Sequence, residues 1–571
     1  MRASALALFL LAVPVWGAAP KAAPPELISV APIGGRPGAS FEATLRGKNL
    51  EGVTRVWSPS EGLTAEVLGV ESGKTDKDPD ALKVRFHFTK ALTVGAHDLR
   101  VITPQGLSNA VQMLAHEQPA VQESAEAHDL PRQAQKIEAW PAVVHGRIAE
   151  VGEVDFYSLQ VKAGQELLFR TFSSAPLDPG VEIYELTGSW FDPDRPTRLA
   201  FADEPVEYPD EPVETVLRYR FDKAGEYLVR VNGFWGYGGA DHVYALLIDP
   251  APDGPVDWPP ATPESLWTER TWRRPLDEDR MARLAGRTVA EAEPAKIQVL
   301  DADAEVTQLP VEPPKISGPT LVVGSIERAG DIDKVRFSVA EGDNLTFEIQ
   351  TPEKSLPELN PLLRIVDDKG VEALTNVWSR VNANGNISKQ IYPKTQYSFP
   401  RAGEFTLEIR DITAVYGGRG MDYKVLIRPF VPHLGEAHVG PDRVNLVAGK
   451  AQNLNVVIDQ EEGYEGLATF SIEGLPPGVE ALMGADVDPD SPPPFNEGKK
   501  ERFTTKSQKA TFVLMPAADA PLTPTPVAAR IYARPAVGGK LGEKILAKQI
   551  LMMVVADATE SPETGVLTDG R

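Results

Sequence analysis

Short runs in which apolar and polar residues alternate with a period of two recur along the chain. Examples are segments 41–45, 84–88 and 406–410, which read Phe-Glu-Ala-Thr-Leu, Val-Arg-Phe-His-Phe and Thr-Leu-Glu-Ile-Arg. Successive side chains of a strand point to opposite faces, so this pattern predicts strands with one buried face, and the Gly, Pro, Asn and Asp residues between the runs predict turns. The sequence therefore predicts an all-β fold, a row of tandem β-sandwich modules.

Helical periodicity is confined to one segment. It predicts a helix from about Leu276 to Ala292, which begins after Pro275 and ends before Pro294. Further prolines precede this segment, so residues 251–290 are predicted to be a proline-rich linker with a short helix.

The strongest internal signal is a repeat with an offset of 178 residues. Segment 146–169 contains Gly-Arg-Ile, Gly-Glu-Val-Asp and Val-Lys-Ala-Gly-Gln-Glu-Leu-Leu-Phe, and segment 324–347 contains Gly-Ser-Ile, Gly-Asp-Ile-Asp and Val-Ala-Glu-Gly-Asp-Asn-Leu-Thr-Phe at the same spacing. The match then slips by one residue, so that Tyr244 corresponds to Tyr423. Two copies of one supersecondary unit are the simplest explanation.

The matching residue types predict particular turns. Gly152 and Gly330 precede an acidic residue where a hairpin turn needs a positive φ. Asp155 and Asp333 are polar positions within otherwise apolar strands. We expect their carboxylates to accept hydrogen bonds from turn amides, with a ligand-binding role as the alternative.

These repeated motifs carry a family resemblance. The order Gly-x-Ile, Gly-Asp/Glu-x-Asp, Gly-x-x-Leu, Ala-Gly-Glu-Tyr/Phe and a terminal Tyr-x-x-x-Ile resembles the bacterial pre-peptidase C-terminal (PPC) domain, over about residues 120–250 and 291–430. The resemblance implies a jelly-roll-like β-sandwich, attached to secreted peptidases and other exported proteins, without chemistry of its own. Some relatives hold calcium through acidic residues near the start of the module, and segments 123–126 and 291–294 depart from that pattern.

Two further segments are predicted to form sandwiches. Residues 25–32, 47–50 and 103–110, the last reading Thr-Pro-Gln-Gly-Leu-Ser-Asn-Ala, are similar to the immunoglobulin-like TIG/IPT module. Residues 431–556 alternate around several apolar runs and predict an immunoglobulin-like sandwich on pattern alone.

The predicted organisation follows from these segments. It comprises a signal peptide 1–19, a TIG/IPT-like sandwich 24–118, a first PPC-like module 119–250, the linker 251–290, a second PPC-like module 291–430, a C-terminal immunoglobulin-like sandwich 431–556 and a disordered tail 557–571.

Residues 1–19 have the layout of a secretory signal peptide. Arg2 precedes an apolar run from Ala3 to Trp16, and small residues follow. The run is shorter than the about 20 residues that a membrane-spanning helix needs. We therefore expect cleavage, an extracytoplasmic location (periplasmic, cell-surface or secreted) and no transmembrane segment in the mature chain.

Composition removes several classes of function. The chain has no cysteine, which excludes disulfides, thiol nucleophiles and cysteine-based metal sites. It has 81 acidic and 58 basic residues, a formal charge of −23, and this disfavours nucleic acid as a partner because phosphate neutralisation needs basic patches.

The best candidate for ligand binding is an aromatic, glycine-rich loop. It contains Phe234, Trp235 and Tyr237, and Trp190 and Phe191 lie earlier in the same module. Flat aromatic faces suit sugar rings or peptide side chains, and glycine lets a ligand approach the backbone. The alternative is that some of these rings cap the sandwich core. The second copy has Ala-Val-Tyr at 414–416 in the same place.

One acidic segment has the spacing of a calcium loop. Asp486, Asp488, Asp490 and Glu497 are its candidate ligands. Ser491 stands where such a loop needs glycine, and prolines follow it. We expect an acidic loop without a cofactor, and a calcium ion is the alternative.

Motifs for serine- or zinc-dependent hydrolysis do not occur in the sequence. The leading hypothesis is an exported, non-catalytic scaffold or binding protein that recognises a protein or polysaccharide in the cell envelope or outside the cell. One alternative is a secreted hydrolase, or its accessory subunit, with a carboxylate-based site. The other is a calcium-stabilised structural array.

Overall fold

A computed structural model describes most of the chain. The described residues are 23–75, 78–173, 176–188, 195–202, 215–233, 236–252, 276–289, 293–303, 312–351, 359–381, 387–391, 394–418, 421–484 and 506–557. The predicted fold class is confirmed, because most of these residues form β-strands and the strands pair into β-sandwich modules.

Strands β1–β9 form the N-terminal sandwich. They are Glu26–Ala31 (β1), Gly34–Gly35 (β2), Ser40–Lys48 (β3), Arg55–Trp57 (β4), Leu63–Glu71 (β5), Asp80–Phe88 (β6), Gly95–Thr103 (β7), Gly106–Leu107 (β8) and Val111–Ala115 (β9). One sheet has the order β1-β3-β6-β5 and the other β2-β9-β7-β4, with β8 paired to β7. Inward residues such as Leu45 and Phe86 are fully buried between the sheets.

Strands β10–β19 form the first copy of the repeat. They are Ala120–Gln122 (β10), Gln135–Ile137 (β11), Ala142–Arg147 (β12), Val154–Val161 (β13), Glu166–Ser173 (β14), Pro179–Leu186 (β15), Pro196–Ala202 (β16), Val216–Arg220 (β17), Gly225–Gly233 (β18) and Val243–Pro250 (β19), with a 3-10 turn at Pro131–Gln133. The sheet orders are β10-β12-β19-β14-β17 and β11-β13-β18-β15-β16.

Strands β20–β31 form the second copy. They are Gln298–Asp301 (β20), Lys315–Ile316 (β21), Thr320–Ser325 (β22), Asp333–Val339 (β23), Asn344–Gln350 (β24), Pro361–Asp367 (β25), Glu372–Thr375 (β26), Val377–Val381 (β27), Ile387–Ile391 (β28), Lys394–Ser398 (β29), Gly403–Asp411 (β30) and Asp422–Pro429 (β31). Its sheets, β20-β22-β31-β24-β29 and β21-β23-β30-β25-β26, repeat the strand order of the first copy, and β27 and β28 pair with each other.

Strands β32–β40 form the C-terminal sandwich. They are His433–Val439 (β32), Arg443–Val447 (β33), Gln452–Glu461 (β34), Leu467–Glu473 (β35), Val479–Gly484 (β36), Lys506–Pro516 (β37), Val527–Val537 (β38), Lys540–Leu541 (β39) and Ile545–Val555 (β40). The sheet orders are β32-β34-β37-β36 and β33-β40-β38-β35, with β39 paired to β38.

The helix between the copies is shorter than its apolar pattern predicts. Helix α1 spans Arg280–Ala285. Gly286 donates to the Ala282 carbonyl at 3.0 Å, and the chain then turns so that Leu434 can donate to the Arg287 carbonyl at 2.9 Å. Pairing with the C-terminal sandwich therefore replaces further helical turns.

The N-terminal and C-terminal sandwiches contact each other. Asn445 on β33 accepts a hydrogen bond from the Leu107 N–H at 2.9 Å and donates to the Leu107 carbonyl at 3.0 Å. The buried Arg100 donates to Asp442 at 2.7 Å. An apolar cluster fills the contact: Ile102, Leu107, Leu551, Met553 and Val555. The first and last modules of the predicted row are therefore in contact with each other.

The outer faces of the two copies are covered by different partners. In the first copy, Val143 and Leu247 pack into the core cluster of the N-terminal sandwich. In the second copy, the corresponding Leu321 and Leu426 pack against helix α1 through Leu284. Both copies thus bury two faces of the same sheet, which explains why β19 is buried on both faces from Val243 to Ile248.

A buried ion-pair network joins the second copy to the C-terminal sandwich. Arg428 on β31 donates to both oxygens of Glu462, at 2.7 and 2.6 Å, and to Glu348 at 2.7 Å. Arg280 of α1 donates to the other oxygen of Glu348 at 2.8 Å. Burial alone would raise the pKa of Glu348, but Arg428 and Arg280 outweigh it and hold that pKa below its ordinary value.

Among the described residues, no helix is long and apolar enough to cross a membrane.

Candidate binding site

Most of the site residues predicted from the sequence lie outside the described residues. This holds for the aromatic residues Trp190, Phe191, Phe234 and Trp235, and for the candidate calcium ligands Asp486, Asp488, Asp490 and Glu497. The predicted signal peptide also lies outside them. Of the aromatic loop, the structure describes Tyr237, whose exposed fraction is 61%. The roles of all these residues stay predictions.

The backbone around Tyr237 approaches its neighbours closely. A Cβ added to Gly233 would lie 2.3 Å from the Tyr237 carbonyl oxygen. One added to Gly238 would lie 2.0 Å from the backbone carbonyl oxygen of Glu150. Gly236 has φ +71° and accepts a hydrogen bond from the Gly152 N–H at 2.9 Å. Glycine is therefore needed here for packing of the loop onto the preceding turn.

The second copy builds the equivalent loop differently and presents Tyr416. Asp411, which stands where the first copy has Gly233, accepts hydrogen bonds from the backbone N–H groups of Thr413 at 2.9 Å and Ala414 at 3.1 Å. Ala414 adopts φ +54° within this turn. A buried carboxylate thus fixes the loop, and the Tyr416 side chain remains 49% exposed.

Tyr416 closes a cleft on the first copy. The cleft has a volume of about 420 Å³ and is lined by Arg198, Leu199, Ala200, Phe201, Leu217, Arg218 and Tyr416. All lining residues other than Tyr416 belong to β16 and β17, each of which is an edge strand of one of the two sheets of the first copy. The cleft therefore occupies the open edge of one sandwich and takes one lining residue, Tyr416, from the other copy.

The walls of this cleft combine aromatic rings with arginine. The guanidinium of Arg198 lies 5.2 Å from the ring centroid of Phe201, a cation–π distance. Phe201 is 45% exposed and Leu217 is buried. The lining thus combines apolar side chains, two exposed rings and charged groups, which is the usual make-up of a ligand cleft.

Arg198 shares its counter-ion with a second arginine. Arg198 donates to one oxygen of Glu182 at 3.1 Å, and Arg230 donates to the other at 2.8 Å. Burial alone would raise the pKa of Glu182, but hydrogen bonds from Tyr184 and Arg230 outweigh it and lower that pKa. Among the described residues, two cations therefore share one ionised carboxylate beside this strand.

Arg218 is fixed more tightly than Arg198. Its Nε donates to Glu166 at 2.8 Å and one terminal nitrogen donates to the Pro252 carbonyl at 2.5 Å. Its side chain is mostly buried, so it supports the wall of the cleft. The sequence offered no local signal for this site, because its residues are far apart in the chain and their types form no motif.

The repeated aspartates do not bind turn amides, so that prediction is wrong. Asp155 is buried and accepts a hydrogen bond from the Tyr244 hydroxyl at 2.5 Å, and Asp333 accepts one from Tyr423 at 2.6 Å. The turn amide of Glu150 instead binds Glu153, which follows the turn glycine directly. Asp155, two residues after Glu153, points inward, and its carboxylate binds the hydroxyl of Tyr244.

The first copy places a histidine beside this carboxylate. His128 Nε2 lies 3.3 Å from Asp155 and 3.5 Å from Glu123, and these three residues could hold a metal ion. Nδ1 lies 3.0 Å from the Glu126 carbonyl oxygen, which only accepts, so Nδ1 carries a proton. Pairing with Glu123 raises the pKa of His128 to about 9. At neutral pH the imidazolium itself supplies a positive charge beside Glu123 and Asp155, and burial raises the pKa of Asp155 to about 7.

A second described group with metal-ligand types already contains cations of the protein. His433, Glu461 and Glu462 lie close together, and Lys394 pairs with both glutamates. Burial alone would raise the pKa of Glu461, but Lys394 and His433 outweigh it and lower that pKa to about 2. The group is therefore part of the buried network between the second copy and the C-terminal sandwich.

Comparisons with known proteins return β-sandwich structures of low similarity. The pre-peptidase C-terminal domain of a collagenase from Bacillus anthracis is 10% identical, covering 24% of this chain and 98% of that domain at a TM-score of 0.15. SGBP-B from a xyloglucan utilization locus in Bacteroides uniformis is 11% identical, covering 40% of this chain and 74% of that chain at 0.15. The CBM22-1-CBM22-2 tandem domain of Xyn10C from Paenibacillus barcinonensis is 9% identical. The match covers 69% of this chain and 99% of that chain, at a TM-score of 0.15.

No protein-family model matches the chain, and no curated protein matches it either. The structural similarities carry no argument about a ligand or an activity.

Proposed function

We propose that the chain is an exported, non-catalytic binding scaffold that holds a polysaccharide or protein ligand in the cell envelope or outside the cell. It would consist of a TIG/IPT-like sandwich, two PPC-like modules and a C-terminal immunoglobulin-like sandwich. The observation that carries the proposal is the cleft that Tyr416 of the second copy lines together with Phe201 of the first. A ligand bound there would contact both copies at once.

The surroundings of the cleft favour binding over catalysis. A hydrolase of the two-carboxylate type needs one carboxyl group with a raised pKa and one ionised carboxylate. The pKa of Glu182, which lies behind the cleft, is lowered, and two arginines share its oxygens. Such a group holds side chains in place and does not donate a proton.

Retention on cell-envelope material tests the proposal. The mature chain is mixed with the insoluble envelope fraction and with soluble polysaccharides, and the bound share is measured for the wild type and for a Phe201→Ala, Tyr416→Ala double variant. We expect the double variant to lose binding at least tenfold, and Val151→Ala, at a site 80% exposed in the first copy, to bind as the wild type does.

Two outcomes would count against the proposal. Equal retention of the double variant would remove the cleft as the site, and loss of retention in Tyr237→Ala alone would move the site to the aromatic loop of the first copy. Release of reducing ends or peptide fragments during the incubation, abolished by one carboxylate substitution, would replace the scaffold with the hydrolase alternative.

A further inference from the structure

We propose that Glu123, His128 and Asp155 of the first copy form a binding site for a divalent transition-metal ion of the zinc class. The site shares no residue with the cleft, so it goes beyond the proposed function and does not depend on it. Three observations carry the proposal: the spacing of the three ligand atoms, a buried imidazole nitrogen without a hydrogen-bond partner, and the outer contacts that hold each ligand.

The three ligand atoms are spaced as in a tetrahedral metal site. Nε2 of His128 lies 3.3 Å from one oxygen of Asp155 and 3.5 Å from one oxygen of Glu123, and all three atoms lie within 4.8 Å of one another. Zinc binds nitrogen and oxygen at about 2.0–2.2 Å, so two ligand atoms of a tetrahedral site stand about 3.3–3.6 Å apart. A cation between the three atoms would therefore reach them with small movements of the side chains.

The nitrogen that faces the carboxylates is available to a cation. His128 is 6% exposed. Among the described residues its Nε2 has no hydrogen-bond partner, and the two carboxylates beside it stand at ion-pair distances. Nδ1 carries the proton that the Glu126 carbonyl oxygen accepts, which leaves Nε2 to coordinate a metal. Binding would release the Nε2 proton to solvent, and the cation would take over the positive charge beside the two carboxylates.

Each ligand is held through an atom that does not face the site. Asp155 uses its other carboxylate oxygen to accept the hydrogen bond from Tyr244 at 2.5 Å. Glu123 uses its other oxygen to accept one from the Arg147 N–H at 2.9 Å, and the Nδ1 hydrogen bond does the same for His128. Outer contacts of this kind orient metal ligands. The side chain of Glu123 is 21% exposed, which gives an ion a route into the site.

The ligand types select the class of cation. Calcium takes about six to eight oxygen ligands, whereas one imidazole nitrogen with two carboxylates suits zinc and its neighbours in the first transition row. Around Asp333 in the second copy, the strongest influences come from one tyrosine and three acids, none of which offers a nitrogen: Tyr423, Asp303, Asp331 and Glu327. The proposed site therefore belongs to the first copy, where the ion would tie the segment that enters the module to strand β13.

Calorimetric titration of the metal-free mature chain with zinc chloride tests the proposal. We expect one tight site whose affinity falls at least about a hundredfold in His128→Gln and in Glu123→Gln. The matched control is His438→Gln, which removes a surface imidazole 3.3 Å from Asp459 and should leave the affinity unchanged. Zinc should also raise the Tm of the wild type and not that of His128→Gln. Cobalt in place of zinc should give the visible absorption of a tetrahedral complex, and His128→Gln should abolish it.

Three results would overturn the proposal. Equal zinc affinity of the wild type and His128→Gln would leave His128 as the internal counter-ion of two carboxylates. Calcium binding stronger than zinc binding would show that the class of cation is wrong. Unchanged zinc affinity in Tyr244→Phe, which keeps all three ligands, would contradict the outer contact that should be worth about tenfold to a hundredfold. The Phe201→Ala, Tyr416→Ala double variant should bind zinc as the wild type does, so the failure of either proposal leaves the other standing.

Discussion

The Tyr244 hydroxyl donates a 2.5 Å hydrogen bond to the buried carboxylate of Asp155. The tyrosine ring reaches that position by crossing Gly146, where an added Cβ would lie 2.5 Å from the ring and the hydroxyl. The second copy repeats the arrangement with Gly324 and Tyr423. The glycine, tyrosine and aspartate that define the repeat are therefore one structural unit.

Tyr244→Phe should destabilise the first copy. The buried Asp155 carboxylate would lose its hydroxyl donor and keep only His128 at 3.3 Å, and loss of a buried hydrogen bond of this kind costs about 1–3 kcal/mol of the free energy of unfolding. Tyr423→Phe is the matched control and should cost less, because Asp333 is only partly buried and water can replace the hydroxyl. Urea titration read by hydrogen exchange in strands β12 and β22 measures both, and equal losses would contradict this difference in burial.

Gly146→Ala should also destabilise the first copy, by a different mechanism. The added methyl group must displace the Tyr244 ring, and overpacking of this kind costs about 1–3 kcal/mol. Gly225→Ala in the same module is the control, since its nearest contact would be 3.9 Å away. Thermal unfolding should show a lower Tm for the first variant only. A similar Tm for both would mean that the ring moves aside without cost.

The sequence predicted the all-β fold and the positive-φ glycines Gly152 and Gly330, which the structure confirms. These depend on local pattern. It did not predict that Asp155 would meet Tyr244, because no spacing rule indicates which polar residues pair across two sheets.

The cleft could not be predicted for a similar reason. Val143 and Leu321 occupy equivalent, equally apolar positions, yet the N-terminal sandwich covers one and helix α1 covers the other. Docking of whole modules decides which side chains meet, and it places Tyr416 at the same cleft as Phe201.

Arg428→Met should weaken the junction between the second copy and the C-terminal sandwich. It would leave Glu348 and Glu462 buried without their main partner, and breaking one side of a buried pair costs about 3–5 kcal/mol. Arg364→Met removes the partly exposed pairs with Glu372 and Glu408 and should cost about 0–1 kcal/mol. Denaturant unfolding of both variants provides the measurement. A small loss for Arg428→Met would show that water enters the junction freely.

Asn445→Ala should loosen the contact between the two terminal sandwiches without unfolding either one. The variant loses both hydrogen bonds to the Leu107 backbone. Hydrogen exchange of the β8 and β33 amides should speed up, while the central strands stay protected. Asn455→Ala, which removes an exposed pair with Thr511, is the control and should leave β8 unchanged. Unaltered exchange in the first variant would mean that the apolar contacts hold the sandwiches together unaided.

Buried neutral histidines should make the protein less stable as pH falls below neutrality. Burial lowers the pKa of His433 to about 4, despite the nearby Glu461. Between about pH 6.5, where an unfolded histidine titrates, and pH 4, the unfolded chain therefore binds a proton that the folded chain does not, and stability falls as pH falls. His433→Asn should reduce the slope of unfolding free energy against pH by up to about 1.4 kcal/mol per pH unit in that window. An unchanged slope for His433→Asn would show that this histidine is charged in the folded protein.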